Sequence, residues 1–303
     1  MTNTAAPDKR PIVGIFWMLV TGMLFVCVTA TVKHVGKGVP APESAFLRYL
    51  IGTLALSPLL LNIFRQRITR RQLGFFAARG AAHSLGVMCW FFAMTQISIA
   101  EVTAMNYLSP IYVTIGAALF LGERLAVRRI MAIAVAFVGA MIIIRPGFRE
   151  VEPGHLAMLV TGVMFGGSYL IAGKMSGEVS AATVVGMLSL CVTIGLTPFA
   201  IAAWVTPTLT QVAWLALVAA FATAGHYTMT LAFGAAPMTV TQPITFLQLV
   251  WATLLGWAVF DEGVDPWVVA GGTLILASVS FITWRESQLK RRTVTPPAVA
   301  TKL

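Results

Sequence analysis

The sequence has little charge: of its 303 residues 11% are charged and 58% hydrophobic, with a mean hydropathy of +0.84. Soluble domains carry about 25% charged residues, so a soluble enzyme is excluded. Acidic residues are scarcer still, 11 Asp plus Glu against 21 Lys plus Arg, for a formal net charge of +10. In a soluble chain that excess would point to nucleic acid. Here the basic residues gather in loops and tails, which is the topology signal of a helical membrane protein, and no nucleic-acid partner is expected. Cysteine is sparse as well. Cys27, Cys89 and Cys191 each stand alone in an apolar run, forming neither a disulfide frame nor a metal site. Walker A, G-x-S-x-G and H-E-x-x-H patterns and Cys/His ligand clusters are all missing. No catalytic residue, metal or cofactor is therefore expected.

What the chain does have is long apolar runs. They fall at Ile12–Val32, Ser44–Phe64, Gly74–Met94, Val102–Leu121, Ile130–Ile144, Gly154–Ala172, Ala181–Trp204, Val212–Phe233, Met238–Phe260 and Pro266–Trp284. At about 20 residues per span, ten helices use about 200 residues and leave only short connections. The run after the polar first eleven residues is too long for a signal-peptide core and reads as a retained first span. With the N-terminus inside, alternate loops hold fifteen Lys and Arg inside and four outside. That asymmetry predicts a multi-pass protein of the cytoplasmic (inner) membrane with both termini cytoplasmic.

The halves resemble each other. Gly14–Phe25 and Gly154–Phe165 match at seven of twelve positions at an offset of 140, which also pairs Pro58 with Pro198. An offset of 139 pairs Gln72 with Gln211, Gly86 with Gly225 and Glu123 with Glu262. Five spans per half is an odd number, so the second half would lie upside down, an architecture recurrent in secondary transporters. The expected fold is an all-α membrane protein of ten transmembrane helices arranged as two inverted five-helix repeats. Its parts are a tail at 1–11, repeats at 12–145 and 154–286, a connection at 146–153 and a basic tail at 287–303.

A Glu follows the fourth span of each half, in Phe120-Leu-Gly-Glu123 and Phe260-Asp-Glu262, and a Gly-containing helix comes next. With the segment Gln242–Trp257 these residues are similar to the EamA-type branch of the drug/metabolite transporter superfamily, from about Ile12 to Glu286. The resemblance implies a ten-helix carrier of small molecules. It names no substrate.

Polar groups inside the spans are the candidates for function, because an ionisable side chain there must face protein or water. Arg48 either braces its helix, with Glu43 in reach, or offers a cation to an anionic group such as a carboxylate. Arg79, His83, Gly86, Trp90 and Met94 share one face of the third span. Arg79 near its end is expected to snorkel to the headgroups. His83 and Trp90 are read as cavity lining or packing. Asn106, Tyr107 and Tyr112 on the fourth span and Thr245, Gln248 and Trp251 on the ninth occupy corresponding places. With His226 on the eighth they complete the expected substrate-binding set: Arg48, His83, Trp90, Asn106, Tyr107, Tyr112, His226, Thr245, Gln248 and Trp251. Rings would pack an apolar part of the substrate while amides and hydroxyls orient its polar groups.

The expected function is secondary transport, by alternating access, of a small organic metabolite: an amino acid or derivative, or a vitamin or nucleoside-like compound. The alternative is a membrane-embedded enzyme acting on a lipid-linked substrate. The expected partners are the small-molecule substrate and the lipid bilayer, with the chain a monomer or homodimer.

Overall fold

The computed structural model describes residues 10–58, 68–122, 125–175, 178–236 and 238–294. Among them it is helical throughout, with one isolated bridge between Pro146 and Arg149. In chain order the helices are α1 (Pro11–Val35), α2 (Ala41–Ala55), α3 (Arg70–Met94), α4 (Ile99–Asn106), α5 (Ser109–Leu121) and α6 (Val127–Ile144). They continue with α7 (Pro153–Met175), α8 (Ala181–Ala202), α9 (Leu209–Ala235), α10 (Met238–Thr241), α11 (Phe246–Phe260) and α12 (Pro266–Val294). Short 3-10 turns at Gly36–Gly38 and Gln242–Thr245 join α1 to α2 and α10 to α11.

Seven helical stretches of the described residues are long and apolar enough to cross a bilayer, Ile99–Phe120 counting as one. The other three apolar runs fall short for particular reasons. Helices α2 and α11 have 15 residues each, and α3, although 25 residues long, carries Arg70, Arg71, Gln72, Arg79 and His83. The second expected span, Ser44–Phe64, ends on residues outside the described set.

Two expected spans are not single helices. The fourth breaks at Tyr107–Leu108, because Pro110 at the second position of α5 has no N–H to continue the ladder. The ninth passes through the 3-10 turn that contains Pro243. By contrast Pro198 lies inside α8, whose helix continues to Ala202. The fifth, short in the apolar count, starts three residues earlier at Val127 and has 18 residues.

Helix starts follow local sequence. Thr69 accepts from Gln72 N while Gln72 returns a bond to Thr69 N, and Thr208 with Gln211 and Ser98 with Glu101 build the same reciprocal cap. Each such cap stabilises its helix by about 1 kcal/mol.

Lipid supplies no hydrophobic drive between helices, so close packing and interhelical hydrogen bonds hold the bundle. The long contacts run α1 along α9, α3 along α7 and α6 along α12, with α2 against α8 and α9, and α3 also against α8. Where α6 crosses α12 the backbones nearly touch. A Cβ at Gly139 would stand 2.7 Å from the Gly271 carbonyl oxygen, and one at Gly271 would strike the Gly139 carbonyl oxygen. Elsewhere Thr53 and Thr193 share a buried 3.0 Å hydrogen bond between α2 and α8.

The two ends of the bundle are closed differently. At the end carrying Val35 and Ile144, Lys33 pairs with Glu262 at 2.5 Å and donates to the Ile97 carbonyl at 2.8 Å, while Glu262 accepts from Ile99 N. Arg149 donates to Glu101 at 2.5 Å beside the fully buried His155, and Arg145 pairs with Asp265. Glu43, fully buried, accepts from Val205 N at 2.9 Å. The opposite end has the more open pair Arg71–Glu178 and the longer Arg129–Glu286 contact at 3.4 Å.

Candidate substrate chamber

The candidate site is a cluster of buried polar and aromatic side chains from α2, α3 and α7, with α9 packed against α2 beside it. Its centre is His83, placed on the inner face of α3 by the three-and-four spacing that also sets Arg79 and Trp90 there. His83 is held on three sides. Its Nε2 lies 2.9 Å from Tyr49 Oη, its Nδ1 3.1 Å from Ser168 Oγ, and its ring stacks on Phe165 at 4.6 Å between centroids. Trp90 meets the edge of Phe165 at 6.1 Å, and Tyr169 lies one turn along α7 from Phe165.

Two guanidinium groups face this aromatic cluster. Arg48 is 8% exposed, with its guanidinium carbon 3.9 Å from the centroid of the Tyr49 ring. Among the described residues it has neither a hydrogen bond nor an ion pair; Glu43, the partner within sequence reach, is engaged at Val205 instead. Arg79 is 5% exposed and donates to the Val184 carbonyl at 2.8 Å, leaving its Nε buried without a partner. It does not snorkel to the headgroups, because α8 closes over it and supplies the carbonyl. Both cations lie near enough to interact electrostatically with His83 and His226.

At the margin of this cluster Tyr169 is 43% exposed and His226 is exposed. His226 also packs edge-on against Phe25 at 5.2 Å. Among the described residues no three His, Cys, Asp or Glu side chains converge as a metal site would require.

The structure divides the expected lining residues. Arg48, His83 and His226 come together, with Trp90 joined through Phe165. Asn106, Tyr107 and Thr245 belong to the two helix breaks, where Tyr107 Oη donates to the Thr245 carbonyl at 2.8 Å and Asn106 Oδ1 is buried without a partner. Tyr112 packs over the Gly162 and Gly166 backbone of α7 and against Phe137, and Gln248 lies against Gly22 of α1. Trp251 stands apart. At 37% exposure it belongs to a stripe with Leu247, Val250, Leu254 and Trp257, all exposed, on one face of α11.

Tyr49, Phe165 and Tyr169 lie outside the expected set, since an aromatic in an apolar run reads as packing. The available signal was spacing: Phe165 and Tyr169 are four apart, with Ser168 adjacent on the same helix.

Comparison with known proteins agrees with this architecture. The EamA-like transporter family matches residues 12–145 and 152–284. The chain is 29% identical over 290 residues to a riboflavin transporter of Vibrio cholerae, covering 93% of this chain and 97% of that one. It is 25% identical to a pseudopaline exporter of Pseudomonas aeruginosa, over 88% and 94% of the two chains. An S-adenosylmethionine uptake transporter of Rickettsia bellii is 22% identical, over 91% and 95%. A solved protein structure aligns over 90% of this chain and 98% of its own with a TM-score of 0.56 at 18% identity, which speaks to fold alone. These relatives are carriers, not enzymes, and this chain is a multi-pass membrane protein that transports a small metabolite. It belongs to the EamA-like transporter family.

Proposed function

We propose that the chain carries a flat heteroaromatic metabolite by alternating access through the chamber around His83. The observation that carries this reading is the aromatic cluster in which Tyr49, Phe165, Tyr169 and His83 pack together beside the two buried guanidinium groups. Stacked or edge-on ring contacts are worth about 0.5–1.5 kcal/mol each beyond area burial. The riboflavin and S-adenosylmethionine for which two relatives are named each contain a planar fused ring.

In this reading ten spans form two five-span halves of opposite orientation, with both termini cytoplasmic. The fifteen-to-four loop asymmetry supports it. So do the matching caps Thr69–Gln72 and Thr208–Gln211, 139 residues apart, and the Thr53–Thr193 bond across 140 residues. Packing supports it too: α1 on α9 becomes α7 on α3 when the halves exchange roles. The helix breaks at Tyr107–Leu108 and Gln242–Thr245 fall in corresponding spans, as broken helices do in inverted-repeat carriers. The end closed by Lys33–Glu262 and Arg149–Glu101 is then extracytoplasmic.

Single cysteines at residues 35 and 208 should label from outside and at 68 and 176 from inside. Labelling of 68 and 208 from one side would overturn the inverted arrangement. Purified protein in liposomes should pass a ring-bearing substrate unchanged, and recovery of a modified product would overturn the carrier reading in favour of an enzyme.

A further inference from the structure

Two cations inside the bundle raise a question of balance. A guanidinium does not deprotonate in a protein, and a buried charge is strongly unfavourable unless it is paired. Arg48 and Arg79 are each more than nine-tenths buried, and neither meets a carboxylate. Among the described acidic side chains Glu286 lies within α12 and pairs with Arg129, and the others lie at a helix end or beyond one, engaged elsewhere in the cases of Glu43, Glu101 and Glu262. The groups that act electrostatically on Arg79, His83 and His226 are cations, neutral rings and a thiol.

We propose that Arg48 and Arg79 form a subsite for an anionic group on the transported molecule, a carboxylate or phosphate attached to the heteroaromatic ring, which supplies the counter-charge that the bundle lacks. This deepens the chamber reading above and rests on it. The geometry is specific. Arg48 has its whole donor set unused among the described residues, and the Tyr49 ring contacts its guanidinium. Arg79 spends one nitrogen on the Val184 carbonyl, and its Nε is buried without a partner. His226 and Tyr169 add polar groups that make no side-chain hydrogen bond among the described residues and are exposed. A forked, planar donor matches a carboxylate or phosphate with two parallel bonds. The stacked rings of Phe165 and His83 lie in the same cluster, next to where the planar part would sit.

The test uses matched pairs that share a ring and differ in charge: flavin mononucleotide against riboflavin, and indole-3-acetate against indole-3-acetamide. Binding to the purified full-length protein is measured by calorimetry and thermal shift. The anionic member should bind at least about tenfold more tightly, the modest end of what charge-assisted hydrogen bonds give. Arg48→Gln should collapse that ratio toward one, and Arg48→Lys should retain part of it.

Equal affinities within each pair would overturn the anion subsite and leave the aromatic chamber standing. A preference that survives intact in Arg48→Gln would overturn it equally. Failure of every compound to bind would overturn the chamber reading and the subsite with it. The wild-type comparison needs no variant, so poor folding of Arg48→Gln would not spare the proposal.

Discussion

The phenol of Tyr49 joins two functional groups: its hydroxyl lies 2.9 Å from His83 Nε2, and its ring carries the Arg48 guanidinium at 3.9 Å. One side chain therefore contacts both the histidine and the cation. Tyr49→Phe keeps the ring and removes the hydroxyl, leaving a buried ring nitrogen without its partner. The expected loss of stability is about 1–3 kcal/mol, with weaker binding of ring-bearing ligands. Melting temperature and calorimetry on the same sample check this, and unchanged affinity with unchanged melting would count against a structured chamber.

The two tryptophans of the expected lining should behave differently. Trp90 is half-buried against Phe91 and Phe165, whereas Trp251 lies in an exposed apolar stripe. Trp90→Ala should lower both melting temperature and ligand affinity, approaching the ~3–5 kcal/mol of a buried tryptophan truncation in its effect on stability. Trp251→Ala should leave affinity within about twofold, since it removes no chamber wall. Loss of binding in Trp251→Ala alone would reverse this assignment.

Gly139 and Gly271 test the packing of α6 on α12. Alanine at either one places a methyl group against a backbone carbonyl oxygen that cannot move aside. Each variant should lose about 1–3 kcal/mol, the usual range for overpacking, read as a lower melting temperature. Ligand affinity at low temperature should hold, because the crossing lies away from His83. A neutral outcome would mean that the helices separate without cost.

The Lys33–Glu262 pair joins the end of α1 to the connection after α11, and Glu262 also accepts from Ile99 N at the start of α4. Glu262→Gln removes the charge and weakens three-way closure at that end. In a background with Cys27, Cys89 and Cys191 replaced, a cysteine at position 226 should react several-fold faster with an impermeant thiol reagent applied from outside. An unchanged labelling rate would show that the pair does not close the path.

Much of the helical organisation was legible because apolar runs and polar breaks are one-dimensional signals. Helix starts were less so: the expected spans begin at Gly74, Val102 and Val212, whereas the helices begin three or four residues earlier, at Arg70, Ile99 and Leu209, capped by Thr69, Ser98 and Thr208. The site was legible only in part. His83 and Arg48 stand out because a polar residue in a span is rare, while Tyr49 and Tyr169 look like ordinary packing until His83 and Phe165 are seen beside them. His155 drew no attention as the third residue of α7, yet it is fully buried beside Glu101 and Arg149. Arg79 was misjudged since sequence does not reveal that the Val184 carbonyl of another helix waits for it. Partners across the bundle are tertiary facts, and no local pattern encodes them.

The bond from Tyr107 to the Thr245 carbonyl spans the two interrupted helices. Each interruption is where its helix bends most easily, since backbone hydrogen bonds are already missing there. A bond between the two weak points ties their motions together: straightening or bending one drags an acceptor or a donor away from the other. Movement at one interruption alone would cost this bond, whereas concerted movement would preserve it. The phenol at position 107 is therefore a tie between the two interruptions.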